Sequence, residues 1–405
     1  MLAEVGITIT TRPFGGTIYV PMSAVRSGRC LKDREPDPSN FEQGMTCRVP
    51  LGAFNMNSVT SFTRLKSVSG PNRHSTGGRG KRKSILVAGG AGFLGSRLCG
   101  RYLEYGCRVI CLDNLSTGRI GNLSQFMEDP NFSFVLHDVV DPIKIDSQID
   151  YIFNMACPAS PPKYQSDPIQ TMKTNLYGAF NLLDLAGRAK ARILQASTSE
   201  IYGDPEVSPQ PEGYQGNVNT VGPRSCYDEG KRAAETIFHE HRECLGIDLR
   251  IARIFNAYGP GMDPEDGRVV SNFINQALAG KPITIYGDGS QTRSFCYLED
   301  MVDGLIALMH GPATSFEPMN IGNPNEFTVA ELAALVLEKI PSGSEIVHVD
   351  LPTDDPKQRR PDICRAQKHL GWFPRVNLDQ GLDQTIDYFR AEAEGRHQSV
   401  PLMVR

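Results

Sequence analysis

A short apolar run that leads directly into three evenly spaced glycines constrains the fold of this chain more than any other feature. Residues 84–88 read Ser-Ile-Leu-Val-Ala, then come Gly89, Gly92 and Gly95, and an amphipathic stretch continues to Tyr105. This order predicts a buried strand, a tight glycine turn and a helix. Such a turn presents backbone N–H groups and the positive end of the helix dipole to an anion, with no side chain in between.

Strand-like and helix-like segments then alternate along the chain. Further apolar runs of strand length occupy residues 108–112, 132–136, 151–156, 191–196 and 248–254. Segments of helix length, such as 167–189 and 224–245, separate most of these runs. Such alternation predicts an α/β fold, a Rossmann-type doubly wound parallel sheet.

The alternation loosens after about residue 257, where Pro and Gly punctuate shorter predicted helices at 269–280, 328–339 and 379–392. We therefore predict an NAD-binding domain with the catalytic residues over 84–257 and a smaller, mainly substrate-binding lobe over 258–395. A leader over 1–83 and a tail over 396–405 flank these two parts.

The leader, residues 1–83, is a different kind of sequence. It carries thirteen Lys and Arg against five Asp and Glu, whereas the whole chain has a net charge of −4. It is rich in Ser, Thr, Gly, Arg and Pro and has no sustained periodicity, which predicts disorder. A basic leader is also typical of an organelle transit peptide, but Asp33, Glu35, Asp37 and Glu42 argue against that interpretation.

The overall composition argues against several classes of function. A formal net charge of −4 gives no reason to expect nucleic acid or a membrane surface as the main partner. No apolar run reaches the ~20 residues of a membrane span. Ten cysteines occur without a CxxC pair or zinc-type spacing, which favours reduced thiols. We expect a cytoplasmic protein with no bound metal.

Two aspartates at strand ends refine the cofactor prediction. Asp113 follows Gly95 by eighteen residues, where a carboxylate accepts hydrogen bonds from a ribose 2′-OH and repels a 2′-phosphate, so we expect NAD rather than NADP. Asp138 follows the third strand and either binds the adenine amino group or is a solvated turn residue. The residues predicted to contact the dinucleotide are Gly89, Gly92, Phe93, Leu94, Gly95, Asp113, Asn114, Thr117, Asp138, Val139, Met155, Tyr227 and Lys231.

A tyrosine and a lysine four residues apart supply the candidate chemistry. Tyr227 and Lys231 share one face of a predicted helix, although this spacing alone usually marks a surface pair. Thr198 ends a strand at the sheet edge where open α/β folds bind ligands; the alternative is a threonine bonded to backbone. A phenol has a pKa of about 10, and lowering it by three units requires about 4 kcal/mol. Lys231 and the positive ring of the cofactor are expected to supply this stabilisation.

Several longer motifs resemble the UDP-glucuronic acid decarboxylase family, also called UDP-xylose synthases. They cover about residues 84–390 and read GGAGFLGS, DNLSTG, ACPASPP, STSEIYGDP, GPRSCYDEGKR, RIFNAYGP, DGRVVSNF, GSQTRSF and QRRPDI. The resemblance implies a cycle on one tightly held NAD+. Tyr227 takes the proton of the sugar 4-hydroxyl as hydride leaves C4, the 4-ketone accepts the electrons left by departing CO2, and hydride then returns to C4.

The resemblance also assigns roles to individual residues. It implies that Ser199 and Glu200 handle the sugar carboxylate and the proton that replaces it, and that Arg359 approaches the carboxylate. Read alone, Arg359 fits an exposed basic loop. Contacts to the nucleotide sugar are implied for Tyr164 and Lys173 in closing the site, Asn256, Arg268 and Arg293 at the diphosphate, and Tyr286 near the uracil.

Three positions depart from the family pattern, and they bear on substrate affinity. Asn154-Met155 stands where His-Leu is common, Ala257 replaces a threonine and Gly261 replaces an arginine. The resemblance further implies a homodimer formed through the helices at 167–189 and 224–245.

Three other functions remain as alternatives. A nucleotide-sugar 4,6-dehydratase normally has Asp-Glu after the threonine, and in a 4-epimerase Glu200 and Arg359 have no task. A catalytically silent NAD-binding regulator has no need for the complete set of Thr198, Tyr227 and Lys231.

Overall fold

The computed structural model describes residues 6–10, 17–21, 82–312 and 317–395. The chain divides into two compact units, residues 1–66 and 67–405. In the first unit, β1 (Gly6–Thr10) and β2 (Thr17–Pro21) form an antiparallel pair. Both strands contain several β-branched residues, which favour extended backbone, so regular structure occurs where the sequence predicts none. The remainder of the leader up to residue 81 and the predicted tail lie outside the described residues.

A seven-stranded parallel sheet forms the centre of the second unit. Its strands are β3 (Ser84–Ala88), β4 (Arg108–Asp113), β5 (Phe132–Leu136), β6 (Tyr151–Asn154), β7 (Arg192–Thr198), β8 (Leu249–Ile254) and β13 (Met319–Ile321). Their order in space is β13-β8-β7-β6-β3-β4-β5. The direction of strand addition reverses between β3 and β6, which opens a crevice at the carboxyl ends of these strands. The predicted fold class is confirmed.

Helices cover both faces of this sheet and build the C-terminal lobe. They are α1 (Phe93–Glu104), α2 (Pro161–Ser166), α3 (Pro168–Ala189), α4 (Ser225–Leu245), α5 (Val269–Leu278), α6 (Leu298–His310), α7 (Val329–Lys339), α8 (Cys364–Leu370) and α9 (Leu378–Ala393). The shorter strands are β9 (Ala257–Tyr258), β10 (Ile283–Tyr286), β11 (Thr292–Ser294), β12 (Cys296–Tyr297), β14 (Glu326–Thr328), β15 (Ile346–Val349) and β16 (Gln358–Arg359).

Among the described residues, three large apolar cores hold these elements together, and a small fourth cluster surrounds Tyr202. On one face of the sheet, α1 and α6 contribute Leu98 and Leu305, and on the other α3 and α4 contribute Leu182 and Phe238. A third core belongs to the C-terminal lobe, where Phe273 of α5 is buried among residues of α7 and α9. Burial of these faces is the main force that fixes the helices against the sheet. In the described part of the chain, none of the helices is long and apolar enough to cross a membrane.

The chain returns to the sheet after it has built most of the lobe. Strand β13 pairs in parallel with β8. In the chain it follows α6, which packs on the same face of the sheet as α1. This edge strand, β13, therefore comes from beyond residue 257, where sequence analysis sets the end of the NAD-binding domain. That boundary stays a prediction, with α5, α7 and α9 as the elements that have a core of their own.

Candidate active site

The glycine turn between β3 and α1 needs glycine at two of its three positions. Gly89 has a φ of +75°, and a Cβ there would lie 2.7 Å from the backbone of Met155 and Ala156. A Cβ on Gly95 would lie 2.1 Å from the carbonyl oxygen of Gly89, so Gly95 allows the helix to pack on the turn. Gly92 precedes the first residue of α1, which has no side-chain cap and no acidic residue in its first turn. The backbone N–H groups in the first turn of α1 therefore have no capping side chain, and they fit an anion such as a pyrophosphate.

The two aspartates at strand ends organise the loops beside this turn. Asp113 is buried, and its carboxylate accepts hydrogen bonds from the N–H of Ala91 at 2.9 Å and of Leu115 at 2.8 Å. Burial raises the pKa of Asp113, and these two bonds oppose the rise. Asp138 accepts from the side chains of Asn114 at 2.9 Å and Gln170 at 3.1 Å. Asp138 is therefore tied into the structure and is not a freely solvated turn residue.

One cleft of about 710 Å³ runs from the glycine turn to the C-terminal lobe. It brings together nearly all of the residues singled out from the sequence. On the side of the predicted cofactor these are Gly89, Gly92, Phe93, Leu94, Gly95, Asp113, Asn114, Thr117, Asp138, Val139 and Met155. On the other side they are Tyr164, Thr198, Ser199, Glu200, Tyr227, Lys231, Asn256, Arg268, Tyr286, Arg293 and Arg359.

Tyr227 and Lys231 lie side by side on α4, and both are buried. Tyr227 is 5% exposed, and the ring of Tyr164 stacks on it at a centroid distance of 4.9 Å. The ammonium of Lys231 donates to the carbonyl oxygen of Ala196 at 2.8 Å and lies 5.7 Å from the centre of the Tyr227 ring. Burial raises the pKa of Tyr227 well above its usual value, whereas a hydrogen bond with Thr198 lowers it.

Burial acts on both members of the pair. It also lowers the pKa of the Lys231 ammonium. The hydrogen bond that favours the phenolate comes from Thr198, which also accepts a bond from the N–H of Glu200 at 3.2 Å. Thr198 thus combines the ligand-facing role and the backbone-bonded alternative. A base at this position needs a further positive charge in the cleft.

Arg359 and Glu200 form a two-pronged ion pair in the same cleft as Tyr227. The guanidinium donates to the two carboxylate oxygens at 2.6 and 3.2 Å, and to the hydroxyl of Ser199 at 2.9 Å. Arg224 donates to the same carboxylate. Burial raises the pKa of Glu200, but the two arginines more than offset this, and the pKa falls to about 2. Arg359 is only 2% exposed, so its interpretation as an exposed basic loop is wrong.

Arg293 also lies next to Arg359 in the cleft. Arg293 on β11 and Arg359 on β16 are partners in the register of two parallel strands. Arg293 is buried and donates to the carboxylate of Asp355 at 2.8 Å, and Arg224 reaches the same carboxylate at 3.5 Å. Arg268 pairs with Asp266. These positive groups near one opening fit a ligand with a diphosphate.

One predicted residue lies outside the cleft. Lys173 is exposed on α3, where Thr171 and Thr174 face inward and line the cleft instead. One helical turn holds 3.6 residues, so Lys173 is turned well away from both threonines. Its predicted role in closing the site has no support in this arrangement.

Sequence reasoning missed Arg224, Asp228 and Asp355. Arg224 lies three residues before Tyr227 in a quoted motif, and that spacing at the start of a helix was an available signal. Asp355 has no such signal, because its partners lie far away in the sequence.

Two of the positions that depart from the family pattern have local partners. Asn154 donates to the side chain of Gln195 at 2.7 Å and so links β6 to β7. Gly261 has a φ of +92°, a conformation that an arginine adopts only with strain.

The chain is similar to known proteins over much of its length. Residues 85–322 match the model of the NAD dependent epimerase/dehydratase family. The chain is 50% identical to UDP-glucuronic acid decarboxylase 1 of Xenopus tropicalis over 78% of this chain and 74% of that protein. It is 53% identical to UDP-glucuronic acid decarboxylase 5 of Arabidopsis thaliana over 76% of this chain and 89% of that protein.

A solved structure is also similar. The UDP-glucuronic acid 4-epimerase of Bacillus cereus, in complex with UDP-glucuronic acid and NAD, has a TM-score of 0.69 and 26% identity. The match covers 76% of this chain and 99% of that one.

Proposed function

Because the chain belongs to the NAD dependent epimerase/dehydratase family, and within it to the UDP-glucuronic acid decarboxylases, we propose that it converts UDP-glucuronate to UDP-xylose and CO2 with bound NAD+ recycled. The observation that carries the proposal is the cluster of Arg359, Ser199 and Glu200 beside Tyr227. It places the charges of Arg359 and Arg224 next to a candidate base, as oxidation followed by decarboxylation requires, and the Nε–H of each arginine has no partner among the described residues.

The residues around the glycine turn fit NAD+. The uncapped start of α1 at Gly92 and Phe93 would hold the pyrophosphate, and Asp113 would accept a hydrogen bond from the adenosine ribose. Asn114, Thr117, Asp138 and Val139 line the adenosine side, and Met155 lines the path towards Tyr227. When bound, NAD+ would supply a hydride acceptor for C4 of the sugar and a hydride donor for the last step, and its oxidised nicotinamide ring would bring a positive charge to the cleft.

The side chains of this protein carry the proton steps. Tyr227 accepts the proton of the sugar 4-hydroxyl while Thr198 positions the oxygen, and Lys231 fixes the tyrosine against the strand edge through Ala196. Arg359 and Arg224 hold the sugar carboxylate, next to Ser199 and Glu200. The 4-ketone then lies β to the carboxylate and accepts the electron pair as the C5–C6 bond breaks. A proton joins C5, and CO2 leaves.

The nucleotide end of the cleft holds the rest of the substrate. Arg293 and Arg268 bind the diphosphate, and Asn256 contacts the diphosphate or the sugar. Tyr286, half exposed at the end of β10, flanks the uracil, and Tyr164 closes over the sugar through its stack on Tyr227.

The alternatives fit the cleft less well. A 4,6-dehydratase removes water and has no use for a carboxylate fork. A 4-epimerase that acts on a neutral sugar has no task for a buried Arg359 that bonds Ser199 and Glu200, and one that acts on UDP-glucuronate differs in its product, which keeps six sugar carbons. A silent regulator needs none of these groups.

Product analysis tests the proposal directly. Purified protein is incubated with UDP-glucuronate, and the nucleotide sugars are identified by mass spectrometry. We expect a UDP-pentose and CO2 in equal amounts, without net reduction of added NAD+. The variant Tyr227→Phe should remain folded and lose turnover. A product that keeps six sugar carbons, or full activity of the variant, contradicts the proposal.

We also infer a homodimer and a reducing, cytoplasmic environment. The support for a dimer is an exposed apolar stripe on α3, formed by Ile169, Tyr177 and Phe180. The support for a reducing compartment is that all eight described cysteines are free thiols. Cell fractionation tests the location, and a chain recovered only in an organelle would contradict it.

A further inference from the structure

A further buried acidic side chain lies close to Glu200 and the arginines, and no step of the proposed chemistry uses it. Asp228 follows Tyr227 in the first turn of α4 and is only 6% exposed. The residues that line the cleft include Arg224 and Tyr227 but not Asp228. Asp228 therefore influences a ligand only through its neighbours.

Charged and titratable groups from several elements surround Asp228. They are Glu200 after β7, Arg224 and Glu229 beside it on the chain, Arg359 on β16 and Tyr164 on α2. Glu229 is partly exposed and pairs with Arg232, so the charges that share one buried region are Asp228, Glu200 and the two arginines. Charges in such a region are screened far less than charges in water.

Several polar atoms in this region have no hydrogen-bond partner among the described residues. They include Oδ1 of Asp228, Oη of Tyr164 and Nε of both Arg224 and Arg359. An ionised carboxylate with an unpartnered buried oxygen is costly, and a protonated carboxyl is much less so. Burial raises the pKa of Asp228 to about 7, and Glu200 adds to the rise, while Arg224 and Arg359 oppose it. Asp228 therefore holds its proton below about pH 7 and loses it above.

We propose that the proton on Asp228 sets the net charge of this cluster and thereby decides how well the cleft binds a sugar carboxylate. The inference rests on the proposed function. Asp355, which also pairs with Arg224, is balanced by Arg293. With the proton present, ionised Glu200, Arg224 and Arg359 sum to one positive charge, which a carboxylate neutralises. Without the proton, the cluster is already neutral, and a carboxylate leaves it negative. Asp228 acts through Glu200 and Arg224 and is a positioning residue for specificity.

Binding at two pH values tests this inference. Titration calorimetry is done on NAD+-loaded protein carrying Tyr227→Phe, so that the ligand is not consumed. The Kd of UDP-glucuronate should rise about tenfold from pH 6 to pH 8, because only the protonated form binds well and its fraction falls tenfold per pH unit above the midpoint. The Kd of UDP-glucose, which lacks the carboxylate, should change little and serves as the ligand control.

Two further variants assign the effect to Asp228. In the same background, Asp228→Asn is permanently neutral, so UDP-glucuronate should bind at pH 8 as tightly as at pH 6. Glu243→Gln removes one acidic group from the solvent side of the same helix and should keep the tenfold change. An unchanged pH dependence in Asp228→Asn overturns the inference.

A second measurement needs no change at Asp228. Calorimetry at pH 8 in buffers with different ionisation enthalpies counts the protons taken up on binding. We expect about one proton for UDP-glucuronate and none for UDP-glucose. Absence of uptake overturns the inference even if Asp228→Asn does not fold. Failure of the proposed function would instead appear as unmodified protein that releases no CO2 from UDP-glucuronate.

Discussion

At the scale of single residues, the candidate site is governed by buried arginines that already have acidic partners. Arg359 makes four hydrogen bonds, to Ser199, to Glu200 and to the carbonyl oxygen of Gly203. A buried ion pair is tolerated only when its groups are bonded in this way. The arginine is therefore held in one orientation before any ligand enters, which reduces the entropy lost on binding.

Removal of the arginine fork should affect decarboxylation more than folding. We expect Arg359→Ala to lower the rate of CO2 release by about a hundredfold or more, because a charge partner of the reacting carboxylate is lost. Arg359→Lys should recover part of the rate, since it restores the charge without the fork. Radiolabelled CO2 release measures both. Arg360→Ala is the matched control, as Arg360 is half exposed and pairs with Glu326. Equal rates for Arg359→Ala and Arg360→Ala would contradict the assignment.

The ionisation of Glu200 should be visible in stability at acidic pH. Its pKa falls from 4.5 to about 2 in the fold, so its ion pairs stabilise the protein above about pH 4.5 and lose this effect as pH falls towards 2. We expect Glu200→Gln to be less stable than the unmodified protein at pH 6, with the difference shrinking towards pH 3. Urea unfolding at several pH values measures this. A difference that stays constant with pH would show that Glu200 is not held ionised by the arginines.

At the scale of secondary structure, the glycine turn and α1 are the part of the fold that the sequence predicts best. Strand, turn and helix are contiguous, and their bounds follow from local apolar periodicity and glycine spacing. The predicted strands of the sheet up to residue 254 agree closely with β3 to β8 for the same reason. The short strands β9 to β16 are at most four residues long, too short to leave a periodic pattern.

The same distinction applies to the site. Tyr227 and Lys231 are predictable because one helix brings them together. Asp355 is not, because its bonds to Arg224 and Arg293 join segments 131 and 62 residues apart. The exposed position of Lys173 was also unpredictable from the motif, since it depends on which face of α3 meets the sheet.

A methyl group at the glycine turn should separate the helix from the turn. In Gly95→Ala the new Cβ would lie 2.1 Å from the carbonyl oxygen of Gly89, so α1 must shift. We expect a loss of about 1–3 kcal/mol in stability and weaker retention of NAD+. Thermal unfolding and the cofactor content of purified protein measure these effects. Gly121→Ala is the control, because a Cβ there meets no atom within 4 Å. Similar unfolding midpoints for the two variants would refute the expectation.

At the scale of the whole molecule, α3 exposes an apolar stripe on the second unit. Ile169, Tyr177 and Phe180 are 69%, 54% and 47% exposed, and their spacing puts them on one face of the helix. Exposed apolar side chains in such a row are typical of a protein interface. The stripe is the reason to expect two copies of the chain to associate through this helix.

A charge in this stripe should dissociate the dimer. We expect the unmodified protein to sediment as a dimer and Ile169→Glu combined with Tyr177→Glu to sediment as a monomer, because buried unpaired charges oppose association. Analytical ultracentrifugation distinguishes the two states. Phe373→Glu, which changes an exposed aromatic elsewhere, is the control and should remain dimeric. A dimeric double variant would locate the interface on another surface.

The late arrival of β13 has a consequence for synthesis of the chain. Six strands of the sheet are complete by residue 254, but the outer edge of β8 stays unpaired until residues 319–321 have left the ribosome. During that interval a nascent chain exposes an open strand edge, the feature that promotes pairing between unrelated molecules. A truncated chain that ends before β13 should therefore be insoluble, although it contains every residue of the glycine turn and of the tyrosine–lysine pair.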